Sequence, residues 1–429
     1  MKVRITGKAL AASLVAAMLA TMTVSPAFGN EGNVPKGVPR LDHVFVIMME
    51  NHGYSQIIGN PDTPFANQYA KAVNSATNYF AVAHPSLTNY LEIAGGSNFG
   101  VHSDNNPDWH NKTCTNNLAS GAVNTDNPAS PNVCPIYGEG TDAATPAIDC
   151  TNEVQCAQGS NDGENNIDGK MSIPAATNIS GKTIADQLVA AGLSWKSYQE
   201  SLPPSGADGV NFADGFFTDG SNIPGAIPGE AQSLVKLYAA KHNPFVYFRS
   251  VQEGEREGLG LDRVVGFEGA HGLFEDLASG HLPNYSMISP NQCTDQHGRG
   301  NGGPQCDFDP NDNGTLVGLN PALMYIGDLT LRNIIKAIHA SPVWHEGRTA
   351  IVVVWDEDDY SVSPTVNKVL LTVDTNYGVH GVQSGKFYTH FSLLKSIEAG
   401  FRLPCLNHAC DASASVMSDL FASGDRDND

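Results

Sequence analysis

The sequence predicts an α/β fold around a buried, mostly parallel sheet, and three segments carry that expectation. Thr349–Trp355 is a run of seven apolar or β-favouring residues, and residues 42–49 form a second, nearly continuous apolar run. Strands with no polar alternation are covered on both faces, which is the pattern of a parallel sheet inside an α/β domain. The third segment, residues 85–96, reads as a helix. Pro85 suits its first turn, Leu87, Leu91 and Ala94 share one face, and Gly95 and Gly96 end it.

Each strand runs into oxygen donors. The first is followed at once by Asp356, Glu357, Asp358 and Asp359, and the second by Glu50, Asn51, His52 and Gly53. Ligands of open α/β sheets bind at such strand ends. Two like charges about 4 Å apart repel by about 1 kcal/mol in water and several-fold more near a protein surface, so packed carboxylates favour a cation. Hard or borderline divalent ions accept carboxylate and amide oxygens, and imidazole joins them where zinc or iron is the metal. Taken singly, the acidic run also reads as a solvated turn, and Glu50 with Asn51 as a helix-capping loop.

The helix places Ser86 at its N-terminus, where free backbone N–H groups and the helix dipole suit a phosphate oxygen. The dipole is worth only about 0.3–1 kcal/mol when exposed, too little to activate a hydroxyl. A metal ion contributes several kcal/mol and lowers oxygen pKa values directly. Without a metal, Ser86 is an ordinary capping serine.

Composition points to export. Residues 1–29 carry Lys2, Arg4 and Lys8, then an apolar run over 9–22, then small residues before Asn30, the pattern of a cleaved signal peptide. No later run reaches the roughly 18 apolar residues of a membrane-spanning helix, so no stable membrane anchor is expected. The chain has a net charge of −21, which argues against nucleic acid and anionic membranes as docking platforms. Its 8 cysteines fit an oxidising compartment, with local pairs expected at 114 with 134, 150 with 156, 293 with 306, and 405 with 410.

Four ordered segments then resemble a known family: residues 48–52, 84–91, 289–297 and 355–359, containing Glu50-Asn51-His52, His84-Pro85-Ser86, Asp295-Gln296-His297 and Asp356-Glu357. They are similar to the motifs of the bacterial phosphoesterase family of secreted acid phosphatases and phospholipases C, within the alkaline phosphatase superfamily. The likeness covers roughly residues 41–400 and is nearest the shorter acid phosphatase branch. It implies an alkaline phosphatase-like three-layer α/β/α sandwich.

The resemblance also implies roles. Glu50, Asn51, Asp356 and Glu357 would bind metal, joined by Ser86 as nucleophile and ligand. Asp295 and His297, with His390, would complete the polar set around the phosphate, Asp295 as a further ligand. His84, His297 and His390 are candidates for protonating the leaving alkoxide or binding phosphate oxygens. Asn89 and Asn291 either donate amide N–H groups to phosphate or stabilise turns. The metal is left open among calcium, magnesium, manganese, zinc and iron. Thr88 stands where the family often has proline.

One domain over residues 30–429 is expected, because the motifs span the chain and no long linker divides it. Residues 100–180, rich in Asn, Asp, Gly and Cys, read as an inserted, disulfide-pinned, loop-rich surface region that is either a substrate-selecting rim or a decoration. Residues 182–192 read as an amphipathic helix, 195–198 as the start of a strand, and 244–248, 285–288 and 366–373 as short strands. The aromatic residues of the segments starting at Trp195 and His242 are assigned to packing. Residues 309–314 match half of an EF-hand loop, which would be an extra structural calcium site, but Asn320 stands where glutamate is required and a plain Asx-rich turn is the favoured reading.

The function expected is a secreted, metal-dependent phosphomonoesterase that forms a phosphoserine on Ser86. Its substrate is a small phosphate ester, with phospholipid or phosphoinositide open, and its oligomeric state is left open. A phospholipase C-type phosphodiesterase is the alternative. A noncatalytic metal- or phosphate-binding protein comes third, because the candidate nucleophile is intact.

Overall fold

At the centre of the sheet, β1 (His43–Met49) lies between two parallel neighbours, pairing Val46 with Met287 on one side and with Val352 on the other. A computed structural model describes residues 1, 31–99, 181–202, 237–252, 254, 256–299, 303–311, 313–358 and 367–421. The expected insertion at 100–180, the cysteines at 114, 134, 150 and 156, and the expected signal peptide apart from Met1 lie outside these residues.

After β1 come α1 (Tyr54–Ile57), α2 (Pro64–Ala72), β2 (Asn74–Phe80), α3 (Ser86–Gly95), α4 (Ile184–Ala190), β3 (Trp195–Gln199) and α5 (Arg249–Gln252). They are followed by β4 (Val264–Gly266), α6 (Leu273–Ser279), β5 (Tyr285–Ser289), α7 (Pro321–Ala340) and β6 (Thr349–Trp355). The order closes with β7 (Lys368–Thr375), β8 (Gln383–Ser384), β9 (Tyr388–Thr389) and α8 (His390–Phe401). The nine strands form one sheet in the order β4-β3-β5-β1-β6-β7-β2-β8, with β9 also on β2. Among them β7 alone runs antiparallel to its neighbours.

Every residue of β6 is buried, as its unbroken apolar pattern requires. Each fully buried valine or isoleucine side chain contributes about 1.5–3 kcal/mol. The two covering layers can be read from β3, whose successive side chains face opposite ways. Tyr198 donates to Asp276 of α6 at 2.6 Å, and Lys196 reaches the same carboxylate. Ser197 and Gln199 bond Asn243 and the carbonyl of His242 on the other side. α7 packs with α2 and α6, while α3 packs with α4, α8 and the turns at 240–247. The result is the expected three-layer α/β/α sandwich.

Local chemistry sets the ends of α3. Pro85 is the residue before the helix rather than inside its first turn, so Ser86 is the first helical residue. Gly96 closes it at φ 74, where a Cβ would lie 2.4 Å from the carbonyl oxygen of Leu406. A left-handed conformation in so close an approach requires glycine.

One expectation is corrected. Pro244–Tyr247 is a 3-10 turn, not a strand, packed on Trp195 with ring centroids of Phe245 and Trp195 4.6 Å apart. Short apolar runs do not distinguish a strand from a buried turn, and Pro244 lacks the N–H a ladder needs. Two donors of the half EF-hand are engaged by neighbouring groups, in keeping with the Asx-rich turn favoured for it. Asp309 accepts from Asn320 N at 2.6 Å and faces His52 Nε2 at 2.9 Å, while Asn313 accepts from Thr315. Asp312 lies outside the described residues.

The disulfides Cys293–Cys306 and Cys405–Cys410 are formed as expected. Among the described residues no helix is long and apolar enough to cross a membrane.

Candidate active site and metal centre

The site lies at the carboxyl ends of β1, β5 and β6. Main-chain bonds fasten their loops together: Glu50 N donates to Asp295 O at 2.8 Å, and Asp356 N donates to Met49 O at 3.0 Å. Asn51, held at φ 58, donates its N–H to Asp356 Oδ1 at 3.0 Å. Gln296 anchors the third loop by accepting from Trp355 Nε1 at 3.0 Å and donating to Met324 O at 2.9 Å. Residues far apart in sequence are thus fixed before any ligand arrives.

Ser86 Oγ reaches two carboxylates, Glu357 Oε1 at 3.0 Å and Glu50 Oε2 at 3.2 Å. His84 stands between Glu357 Oε2 at 2.9 Å and Asp358 Oδ1 at 3.5 Å. Asn89 donates to Glu357 Oε2 at 2.9 Å and accepts from the N–H groups of Val82 and Ala83. Its amide therefore orients Glu357 and the approach to α3, and does not face a phosphate.

Five buried carboxyl groups meet here: Glu50, Asp295, Asp356, Glu357 and Asp358. Burial, with the charges of Asp356 and Asp295, holds Glu50 well above the usual carboxylate range. Burial also pushes Asp356 up to about 6. Asn51 Oδ1 and Asp356 Oδ2 are buried without a hydrogen-bond donor. Orphaned oxygens beside crowded carboxyls fit a divalent cation, whose charge removes both penalties. Glu50, Asn51, Asp356, Glu357 and Ser86 are the oxygen donors of this cluster that the sequence expects to hold it.

The sequence assigns no catalytic role to the segment beginning at His242, yet His242 stands in the cluster. It faces Glu50 Oε1 at 3.1 Å through Nε2 and Asp295 Oδ2 at 3.2 Å through Nδ1. Burial, then the charges of Lys241 and His297, holds His242 well below the usual imidazole range, so the ring is neutral. A metal ion bound at Glu50 would take the place of a proton there. One ligand atom each from Glu50, His242 and His297 falls within 4.8 Å of the others, close enough to share an ion.

The remaining candidates divide. Asp295, expected as a ligand, accepts from the main-chain N–H of His297 at 2.7 Å through Oδ1 and places Oδ2 3.2 Å from His242 Nδ1. His297 Nδ1 bonds Gly298 O at 2.8 Å, which leaves Nε2 as the acceptor 3.1 Å from Lys241 Nζ. His390 does not face the cluster's open oxygens. Its Nε2 bonds Asp356 O at 2.6 Å and its Nδ1 bonds Tyr79 OH at 2.8 Å, while burial lowers its pKa to about 4. Asn291 is spent on its own turn, accepting from Cys293 N and Thr294 N and donating to Ser201. Tyr90, also unforeseen, donates its hydroxyl to Glu50 Oε1.

Comparison with known proteins defines the class of the chain. Residues 60–303 match the model of the phosphoesterase family, and the chain belongs to that family. An acid phosphatase of Aspergillus fumigatus is 24% identical over 342 residues, covering 80% of this chain and 51% of that protein. A probable acid phosphatase of Kluyveromyces lactis is 22% identical, covering 87% of this chain and 61% of the relative. The chain thus spans only part of these fungal relatives. A phosphatidylinositol-3-phosphatase of Mycobacterium tuberculosis is 22% identical over 94% of this chain and 89% of its own length. Among solved structures, an alkaline phosphatase superfamily protein from Vibrio parahaemolyticus aligns with a TM-score of 0.43 and 11% identity, covering 91% of this chain and 74% of that one.

Proposed function

We propose that this chain is a metal-dependent phosphomonoesterase that works through a phosphoserine on Ser86. The observation that carries the reading is Ser86 Oγ held between Glu50 and Glu357, beside buried oxygens that have no donor. A divalent cation held by Glu50, Asn51, Asp356, Glu357 and Ser86 would neutralise phosphate charge and lower the pKa of the serine hydroxyl.

The chain's own groups account for the rest. The Ser86 proton already lies toward a carboxylate, so it transfers there as Oγ attacks phosphorus. The P–O bond to the leaving alcohol breaks, and that oxygen takes up the proton that Ser86 gave to the carboxylate. Water then attacks the phosphoserine, the Ser86–phosphate bond breaks, and the serine recovers its proton. His84 and Asn89 hold Glu357 in place throughout, and His390 fixes the main chain of Asp356.

Phosphate monoester hydrolysis is among the slowest uncatalysed reactions, with enzymatic acceleration reaching about 10²¹-fold. General acid–base help of about 10²–10⁴-fold falls far short, so charge neutralisation and positioning must supply most of it. Phosphoinositide monoesters are the favoured lipid substrates, supported by the nearly full-length likeness to the mycobacterial phosphatidylinositol-3-phosphatase. Export is supported by the signal-like residues 1–29 and the two disulfides, which belong to an oxidising compartment.

The test compares 4-nitrophenyl phosphate with bis(4-nitrophenyl) phosphate for wild type, Ser86→Ala and chelator-treated protein. Monoester turnover that both treatments abolish supports the proposal. Preferential diester turnover selects the phospholipase C-type reading, and activity unaffected in Ser86→Ala removes the nucleophile.

A further inference from the structure

We propose that Lys241 binds the phosphoryl oxygens of the substrate and sets a preference for phosphate monoesters over diesters. This rests on the phosphomonoesterase reading and adds a specificity residue to it. Among the described residues Lys241 is the one lysine or arginine that is buried, with 6% exposure. Taking an ammonium out of water costs several kcal/mol, and such a cost at a ligand site points to a charge the site needs.

Its place fits that need. Lys241 precedes His242 in the 3-10 turn Ala240–His242, and its Nζ stands 3.1 Å from His297 Nε2. His297 and Glu50 are close enough to share an ion, and Glu50 is 3.2 Å from Ser86 Oγ. The Lys241 charge is felt at both Glu50 and Asp356. A continuous line of contacts thus leads from the ammonium through His297 and Glu50 to Ser86 Oγ.

The substrate chemistry supplies the discrimination. A monoester loses its second proton near pH 6 and arrives as a dianion, whereas a diester is a monoanion with one fewer free oxygen. A fixed cation beyond the metal stabilises the additional charge and gives little to the diester. Lysine suits this role as a compact point charge. The competing account is that Lys241 only balances the carboxyl cluster. In that case its loss would disturb metal retention and affect both esters alike.

The experiment uses the metal-loaded full chain with Lys241→Met and Lys241→Arg, each checked for thermal midpoint and bound metal by elemental analysis. Rates are measured on 4-nitrophenyl phosphate and its methyl diester, and inorganic phosphate binding is measured calorimetrically in a Ser86→Ala background. The expected result for Lys241→Met is a monoester-to-diester kcat/KM ratio lower by roughly 10²-fold, since one preorganised charge is worth about that much. Phosphate binding weakens in parallel, metal content is retained, and Lys241→Arg recovers most of the ratio. If diester turnover is too slow to measure in wild type, the phosphate affinity decides. An unchanged ratio with unchanged phosphate affinity overturns the proposal, as does an equal fall for both esters accompanied by metal loss. Wild type that hydrolyses neither ester refutes the phosphomonoesterase reading itself, while phosphate binding still reports on Lys241.

Discussion

The ring of Tyr90 stacks on His242, with centroids 5.3 Å apart and planes 7° from parallel, while its hydroxyl donates to Glu50. One side chain thus fixes both the imidazole and the carboxylate that face each other at 3.1 Å. Tyr90 is also one helical turn beyond Ser86, so the two project from the same face of α3.

Tyr90→Phe should keep the stack and lose the hydrogen bond to Glu50. A bond to a charged acceptor is worth about 1.5–3 kcal/mol, and removal of an outer-sphere partner typically costs about 10–100-fold in metal affinity or activity. Metal titration and kcat/KM on the same preparation check this. Unchanged values for both would remove the orienting role of Tyr90.

Asp295→Asn should act through His242. The carboxylate oxygen lies 3.2 Å from Nδ1, and a proton drawn to that nitrogen would leave Nε2 bare toward Glu50. An amide can present its NH₂ instead and stabilise the wrong tautomer. The expected loss in metal affinity or activity is about 10–100-fold. An Nδ1 chemical shift that does not move in labelled protein would contradict the tautomer argument.

Gly327→Ala should disturb the site from a distance. A Cβ at Gly327 on α7 would lie 2.3 Å from Gln296 Cγ, and Gln296 sits between Asp295 and His297. Overpacking of this kind costs about 1–3 kcal/mol. Both the thermal midpoint and kcat should fall. A normal kcat in a destabilised protein would show that the loop position is held by other contacts.

Glu398→Gln addresses pH-dependent stability away from the site. Glu398 on α8 is fully buried, accepts from Leu406 N at 2.8 Å through Oε1, and leaves Oε2 without a donor. Burial raises its pKa well above the ordinary value. A raised carboxyl pKa favours the folded state below the unfolded value, and that contribution is lost as pH rises through the folded one. The Gln variant keeps the acceptor, so it should match wild type near pH 4 and exceed it at neutral pH. Parallel unfolding midpoints across pH would refute this.

The sequence made the strands and their chemistry visible where one pattern dominated. β1 and β6 are unbroken apolar runs, and the donors at their ends belong to motifs with fixed spacing. β2, reading Asn-Ser-Ala-Thr-Asn-Tyr-Phe, has no such signal, and the two-residue strands β8 and β9 are too short to have a period. His242 and Lys241 escaped because they sit in an irregular turn, where position depends on Ser197, Gln199 and Tyr238 packed from elsewhere. The assigned roles of His390 and Asn291 could not be judged either. Whether a polar ring or amide faces a ligand or is consumed by a neighbouring carbonyl is decided by tertiary contacts with no trace in local spacing.

The crowding of Glu50, Asp356 and Glu357 also ties folding to the surroundings. A fold that gathers these groups before any ion binds is strained by its own acidity, and an ion that prefers the folded form adds stability as the logarithm of its concentration. For a chain read as exported, the divalent content of the medium would then act as a thermostat on lifetime as well as on turnover. The same molecule would persist in mineral-rich fluid and open to proteases where cations are scarce.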